Sequence, residues 1–167
     1  MARELNIAAQ ALELRRRYPT SSVTLRQQRL TWTHVAQPTE WCRQYTVRLD
    51  ADPHGWPTVW VLAPDLEPDS QGRLPHVYPD GSLCLATPGQ WRRDMLFTST
   101  FVAWTFEWLI YYEIWSATGL WHGDGADNLD EKARNRILHH YDVPARAAVA
   151  SAIQLPPARS PAARRRR

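Results

Sequence analysis

Apolar side chains recur at intervals of three and four residues in the first segment of the chain, Leu5 to Tyr18. Leu5, Ala8, Ala9 and Leu12 follow this spacing, as do Ile7, Ala11, Leu14 and Tyr18. Such spacing gathers apolar side chains on one face of a helix, and Pro19 follows a basic last turn, where helices commonly stop. The segment is therefore predicted to be an amphipathic N-terminal helix.

Three runs rich in β-branched and aromatic residues come next, over Val23–Val35, Trp41–Leu49 and Trp56–Leu62. Residues 37–39 and 50–55 separate them and have the composition of turns. Runs joined by such short turns usually pair with their neighbours in the chain. We therefore expect an antiparallel β-meander.

The rest of the chain predicts a long loop followed by helices. Residues 63–91 are crowded with Pro, Gly, Asp and Ser but keep interleaved apolar residues, which is typical of an ordered loop where a site could lie. Aromatic residues then recur at helical spacing over Phe97–Ala117, which favours core packing. A last helix is predicted over Leu129–Tyr141, and residues 156–167 have the composition of a disordered Pro- and Arg-rich tail.

This order of elements predicts an α+β fold in which the helices gather on one side of an antiparallel sheet. The length of 167 residues fits one domain, which we place at residues 1–155. The apolar stretch Leu96–Trp115 contains Glu107 and Glu113, so we interpret it as a buried helix and expect no membrane contact.

Charge and cysteine content limit the partners and the compartment. The net charge is +3, but five arginines and no acidic residue lie in the last nine positions, so the rest has 20 − 5 = 15 basic against 17 acidic residues. We therefore expect no direct binding of nucleic acid by the folded part. Two cysteines and an N-terminal segment without an apolar stretch favour a reducing cytoplasm.

Cys84 is the first candidate for chemistry. It follows the turn sequence Pro79-Asp80-Gly81, and Arg92 and Arg93 lie close in sequence and could favour a thiolate. The alternative is a small buried thiol, the commoner state of a cysteine. Cys42 has no comparable setting and is interpreted as structural.

His76 precedes Cys84 by eight positions and could serve as a base for the thiol, as a donor to an oxyanion, or only as a loop residue bonded to the backbone. A metal site is not expected, because His122, Asp124 and Asp127 form a weak set of ligands. The chain has neither a phosphate-binding P-loop nor a dinucleotide-binding glycine motif. We therefore expect no cofactor.

The stretch LPHVYPDGSLCL resembles the active-site segment of the ubiquitin-conjugating enzyme family. That segment carries His-Pro-Asn, then Val or Ile and Tyr, a Gly turn, the active cysteine within I-C-L, and a later Trp. Leu74 and His76 stand at the family's His and Asn positions, and Ala86 stands where an Asp often follows. The matching positions are Pro75, Val77, Tyr78, Gly81, Cys84, Leu85 and Trp91.

The block EWLIYYEIWSATGLWHG, residues 107–123, is similar to a bacterial branch of this family found in type II CBASS anti-phage operons. The resemblance implies that Cys84 forms a thioester with the C-terminus of a cGAS-like nucleotidyltransferase and passes it to an amine. Since a free carboxylate needs activation to form a thioester and the chain has no recognisable nucleotide site, we also expect either a separate activating partner or an acyl donor that is already activated. His76 and Tyr78 join Cys84 as catalytic candidates, and Trp91 and Asp80 are candidate binding residues.

Two other functions remain open. The same fold could act as a non-catalytic scaffold that holds the nucleotidyltransferase, in which case Cys84 is incidental. A Cys-His hydrolase is less favoured, because the histidine comes so soon before the cysteine and no Asn or Asp is evident to orient it. Exposure of the Cys84 sulfur would distinguish an enzyme from a scaffold.

Overall fold

The computed structural model describes residues 5–123. The helix predicted over Leu129–Tyr141 and the tail from Pro156 lie outside the described residues. Within them the fold is α+β, with an N-terminal helix, a four-stranded antiparallel sheet and a second helix after a long loop. The elements are α1 (Ile7–Arg17), β1 (Ser22–Arg26), β2 (Arg29–Ala36), β3 (Tyr45–Ala51), β4 (Thr58–Ala63), a single 3₁₀ turn (Phe97–Ser99) and α2 (Phe101–Thr118).

The predicted N-terminal helix is confirmed. It begins two residues after the expected start and ends one residue before the expected end. The side chain of Asn6 caps it by accepting a hydrogen bond from the backbone N–H of Ala9 at 2.8 Å. Ala11 and Leu14 are buried, and Gln10 is buried beside them. The Gln10 side chain donates to the carbonyl of Met95 and accepts from the N–H of Phe97, both at 2.8 Å, which ties α1 to the segment before α2.

The meander is confirmed in its antiparallel order, but the number of strands predicted was wrong. Val23–Val35 is not one strand: β1 and β2 form a hairpin that turns at Gln27 and Gln28, whose φ angles are +47° and +61°. Two-residue turns of this left-handed kind usually carry Asn and Gly, so a Gln-Gln turn has no signal in sequence.

The strand starts also differ from the predicted ones. β3 begins at Tyr45, because residues before it form a turn in which the N–H of Cys42 bonds to the carbonyl of Thr39 at 3.1 Å. β4 begins at Thr58, after Pro57. Since proline lacks an N–H for the strand ladder, it more often precedes a strand than lies within it.

One face of the sheet carries the core. Alternate residues of β3, from Tyr45 to Ala51, are buried, and the register sets Trp32 and Val59 on either side of Leu49. Directly paired residues share a face, so these side chains pack together. The opposite face is partly exposed and polar: the Arg48 guanidinium lies 4.7 Å from the ring centre of Trp60 and 3.2 Å from an Asp50 carboxylate oxygen.

The aromatic helix is α2, and its predicted role in the core is confirmed. Phe101, Trp108 and Tyr112 are buried, and the Trp108 and Tyr112 rings stack with centres 5.4 Å apart and planes 7° from parallel. Trp104 and Trp115 are only partly buried. The helix ends at Gly119, where φ is +74°.

A polar cluster joins α2 to β3. A Glu113 carboxylate oxygen accepts hydrogen bonds from the Tyr45 hydroxyl at 2.6 Å and from the Arg43 N–H and Nε at 3.1 and 3.2 Å. Partial burial raises the pKa of Glu113, but the hydrogen bonds from Tyr45 and Arg43 outweigh it and set the pKa below the usual value. Burial, followed by the Glu113 hydrogen bond, raises the pKa of Tyr45 well above its usual value.

Trp108→Ala should lower the free energy of unfolding by about 3–5 kcal/mol, because it removes a buried ring stacked within the core. Trp41→Ala is the matched control: Trp41 is 70% exposed, so its loss should change stability by no more than about 0.5 kcal/mol. Urea denaturation measures both values. Equal losses for the two variants would contradict the assignment of Trp108 to the core.

Glu113→Gln should destabilise the protein at neutral pH, and the deficit should shrink as pH falls. A carboxyl group whose pKa is lowered by folding stabilises the native state above its unfolded pKa, and that contribution is lost as pH falls from about 4.5 through the folded value. Thermal melts across this range test it, with the exposed Glu40→Gln as control. Deficits that stay constant with pH would contradict the role given to the charge.

Candidate active site

The Cys84 loop folds back on itself as a short antiparallel pair. Val77 and Leu83 form a bridge, flanked by hydrogen bonds from the Cys84 N–H to the His76 carbonyl and from the Tyr78 N–H to the Ser82 carbonyl, both at 2.8 Å. The pair closes at Gly81, whose φ of +83° suits glycine. The predicted turn is thus present, and it sets His76 opposite Cys84 and Tyr78 opposite Ser82.

The edge of the sheet holds this loop in place. The N–H of Leu83 donates to the carbonyl of Val59 in β4 at 2.8 Å. Leu83 and Leu85 are 4% and 2% exposed and belong to the core. Because successive side chains of an extended chain point to opposite sides, burying both leucines turns Cys84 away from the core, where it is partly exposed.

The Cys84 thiol is paired with Tyr78. Its Sγ donates a hydrogen bond to the Tyr78 hydroxyl oxygen, 3.2 Å away. That hydrogen bond, followed by partial burial and the nearby charges of Cys84 and Asp80, raises the pKa of Tyr78 to about 12. The phenol therefore stays protonated near neutral pH, and once Cys84 ionises the phenol can turn its O–H toward the thiolate.

Asp80 braces the turn. Its carboxylate accepts hydrogen bonds from the Ser82 hydroxyl at 2.6 Å and from the Ser82 N–H at 2.9 Å. These bonds lower the pKa of Asp80, the hydroxyl contributing most. The carboxylate is exposed on the loop. Its place as a binding residue stays a prediction, whereas its geometry shows a support for the hairpin that carries Cys84.

His76 has an unusual backbone and a stacked ring. Its φ is +52°, and its imidazole lies on the Trp121 indole with ring centres 4.8 Å apart and planes 32° from parallel. The hydrogen bond at Cys84 Sγ is made with Tyr78, and the roles considered for His76, a base for the thiol, a donor to an oxyanion or a loop residue, stay predictions. Sequence reasoning gave Trp121 no role, because only the folded chain brings it to His76.

Trp91 and Cys42 both lie in packed surroundings. The Trp91 ring meets the rings of Trp56 and Phe101 edge-on, with centres 5.6 Å apart in each case, so it fixes the end of the loop against α2. Its role in binding stays a prediction. Cys42 is buried, and its sulfur accepts a hydrogen bond from the Thr39 hydroxyl at 3.1 Å, in agreement with the structural interpretation.

Within residues 5–123, no helix combines the length and apolar character needed to cross a membrane. In the same part of the chain, no group of three or more His, Cys, Asp and Glu side chains is arranged to hold a metal ion. Asp124 and Asp127, considered above as weak ligands, lie outside the described residues.

A comparison with protein families finds a match to this chain. The model of a family described as type II CBASS E2 proteins matches residues 10–128, which is more than half of the chain. The matched segment includes most of α1, the four strands, the Cys84 loop and α2. No curated protein matches the chain.

Tyr78→Phe should slow alkylation of Cys84 by iodoacetamide near neutral pH by about 2- to 10-fold, because the thiolate loses a hydrogen-bond donor worth about 0.5–1.5 kcal/mol. Mass spectrometry of the native protein over time gives the rate, and buried Cys42 should remain unmodified. Tyr18→Phe, which alters a tyrosine packed on Trp32 and His34, is the control. Equal rates for wild type and Tyr78→Phe would show that the phenol does not stabilise the thiolate.

Proposed function

Because the chain belongs to the family of type II CBASS E2 proteins, we propose that it is an acyltransferase that works through a thioester on Cys84. The observation that carries this proposal is the position of Cys84, partly exposed on a loop held by two buried leucines and bonded to a phenol that stays protonated. A nucleophile must be both accessible and fixed, and this loop supplies both conditions.

The proposed reaction has two steps. The Cys84 thiolate attacks the carbonyl of an activated acyl donor, and collapse of the tetrahedral intermediate expels the donor's leaving group and leaves a thioester. An amine then attacks this thioester and loses its proton to solvent. The Cys84 thiolate is expelled, and the Tyr78 hydroxyl can donate a hydrogen bond to it. In each step negative charge develops on the carbonyl oxygen, and we propose that His76 donates a hydrogen bond to it.

The proposed acyl donor is the C-terminus of a cGAS-like nucleotidyltransferase, whose conjugation would prime cyclic-oligonucleotide signalling against phage in the bacterial cytoplasm. Membership in a CBASS family and the sequence block that ends at Gly123 support this partner. A free carboxylate does not form a thioester without activation. Since the sequence carries no recognisable nucleotide-binding motif, the proposal includes a separate activating partner.

The alternative is a scaffold of the same fold that binds the nucleotidyltransferase without chemistry. In that case Cys84 would need neither exposure nor a polar partner. The contrast between the two cysteines favours the enzyme, since Cys42 is buried beside Thr39 whereas Cys84 reaches the surface beside Tyr78.

Intact-mass analysis of the protein purified after co-expression with the products of its operon tests the proposal. Wild type should carry a thiol-sensitive adduct, Cys84→Ser should trap the same acyl group as a stable ester, and Cys84→Ala should carry none. An ester resists thiols far better than a thioester, so the two linkages can be told apart.

Cys42→Ala is the matched control and should keep the adduct, because Cys42 is buried. The scaffold function would be supported instead if neither wild type nor Cys84→Ser carried an adduct while Cys84→Ala retained full protection against phage.

A further inference from the structure

The segment after α2 returns over the helix that precedes it. Gly119, with φ +74°, ends α2 and donates its N–H to the Trp115 carbonyl at 2.7 Å, while the Leu120 N–H donates to the Thr118 hydroxyl oxygen at 3.2 Å. Such a left-handed C-terminal residue redirects the chain. It brings Trp121 back against α2.

Trp121 packs against three rings. Its indole centre lies 5.8 Å from those of Trp108 and Tyr111 in α2, and 4.8 Å from that of His76 in the Cys84 loop. Trp121 also packs against the main core. One side chain therefore spans from the helix to the loop that carries the proposed nucleophile.

Gly123 has a steric reason to be glycine. A Cβ built at this position would lie 2.8 Å from the Trp121 Nε1 and 2.9 Å from the Tyr111 Cδ2. Carbon atoms do not approach other heavy atoms so closely without displacement of one of them. Any side chain at this position would therefore disturb the contact between the Trp121 and Tyr111 rings by displacing at least one of them.

The backbone of His76 is held by a hydrogen bond, and its ring packs against an indole. The carbonyl accepts the Cys84 N–H at 2.8 Å, which holds the main chain of the two residues together. Rotation about the side-chain bonds remains, and a ring can settle in several staggered positions. The contact with the Trp121 ring, whose centre lies 4.8 Å away, favours the position that the ring has here.

We propose that Trp121 is a positioning residue: its indole holds the imidazole of His76, whose backbone is bonded to that of Cys84, in one orientation, and Gly123 leaves the space that the indole needs. This inference rests on the proposed function for its catalytic consequence, since only an acyl transfer at Cys84 would use the orientation of His76. The sequence Gly119-x-Trp121-x-Gly123 thereby acquires a role in the site: the first glycine turns the chain, the tryptophan holds the ring and the second glycine admits the tryptophan.

The orientation of His76 can be measured without any substrate. Stacking on an indole shifts the imidazole carbon-bound protons upfield, so in NMR spectra of histidine-labelled protein the His76 signal, assigned with His76→Ala, should move downfield in Trp121→Leu. Trp121→Phe should restore most of the upfield shift because it keeps a ring. Gly123→Ala should reproduce the effect of Trp121→Leu while retaining the tryptophan. It therefore provides a second test if Trp121→Leu fails to fold.

Trp115→Ala is the control for a merely structural role. It removes an aromatic ring from α2, the helix against which Trp121 packs. The Trp115 ring packs on that of Tyr112, with ring centres 5.8 Å apart. It should lower the melting temperature but leave the His76 signal where it is in wild type. Unchanged His76 signals in both Trp121→Leu and Gly123→Ala would overturn the proposal.

Discharge of the Cys84 adduct to free lysine gives the catalytic readout. Trp121→Leu should slow single-turnover discharge by about 10- to 100-fold, since loss of alignment alone commonly costs this much. The His76→Ala/Trp121→Leu double variant should be no slower than His76→Ala, because both changes remove the same oriented ring. Additive losses would overturn the positioning role. Absence of any adduct in wild type would count against the proposed function and not against the role of Trp121. The NMR signals would still show whether Trp121 orients the His76 ring.

Discussion

The burial of two leucines on either side of one cysteine is the constraint on which the rest of the site depends. Leu83 and Leu85 enter the core, and each contributes about 1.5–3 kcal/mol of burial. The N–H of Leu83 also pairs with Val59 at the edge of the sheet. With its neighbours held on the inner side, Cys84 has only the outer side left, and the folding energy of the domain fixes the sulfur at the surface.

The sequence predicted the helices and the turn whose structure depends on residues close together in the chain. Periodicity predicted α1 and α2, and the sequence Pro79-Asp80-Gly81 predicted the turn before Cys84, although not the antiparallel pair that this turn closes. The hairpin at Gln27 and Gln28 was missed because neither residue marks a left-handed turn. Contacts between distant segments, such as the stack of His76 on Trp121, need the assembled fold and leave no trace in spacing.

The two sides of the site are supplied by different elements. Cys84 is held through β4, while His76 meets a tryptophan held by α2. The backbone of His76 is bonded directly to that of Cys84, so the docking of α2 on the sheet bears on the orientation of the His76 ring. The Glu113 carboxylate, bonded to Tyr45 and Arg43 at the start of β3, adds a polar link between these layers to the aromatic packing. The packing of α2 on the sheet thus contributes both to the stability of the core and to the place of the ring that contacts His76.

Exposure limits what the loop alone can contribute to reactivity. The Tyr78 side chain is 48% exposed, so its hydroxyl is open to solvent. A hydrogen bond in such a place is worth only about 1 kcal/mol. An effect of that size changes a rate by less than about tenfold. In the proposed chemistry, larger increases in rate come from two other sources. One is alignment by a fixed thiol and an oriented imidazole, and the other is an acyl group that arrives already activated. The proposed chemistry therefore divides the work: the partner supplies the energy and this fold supplies the geometry.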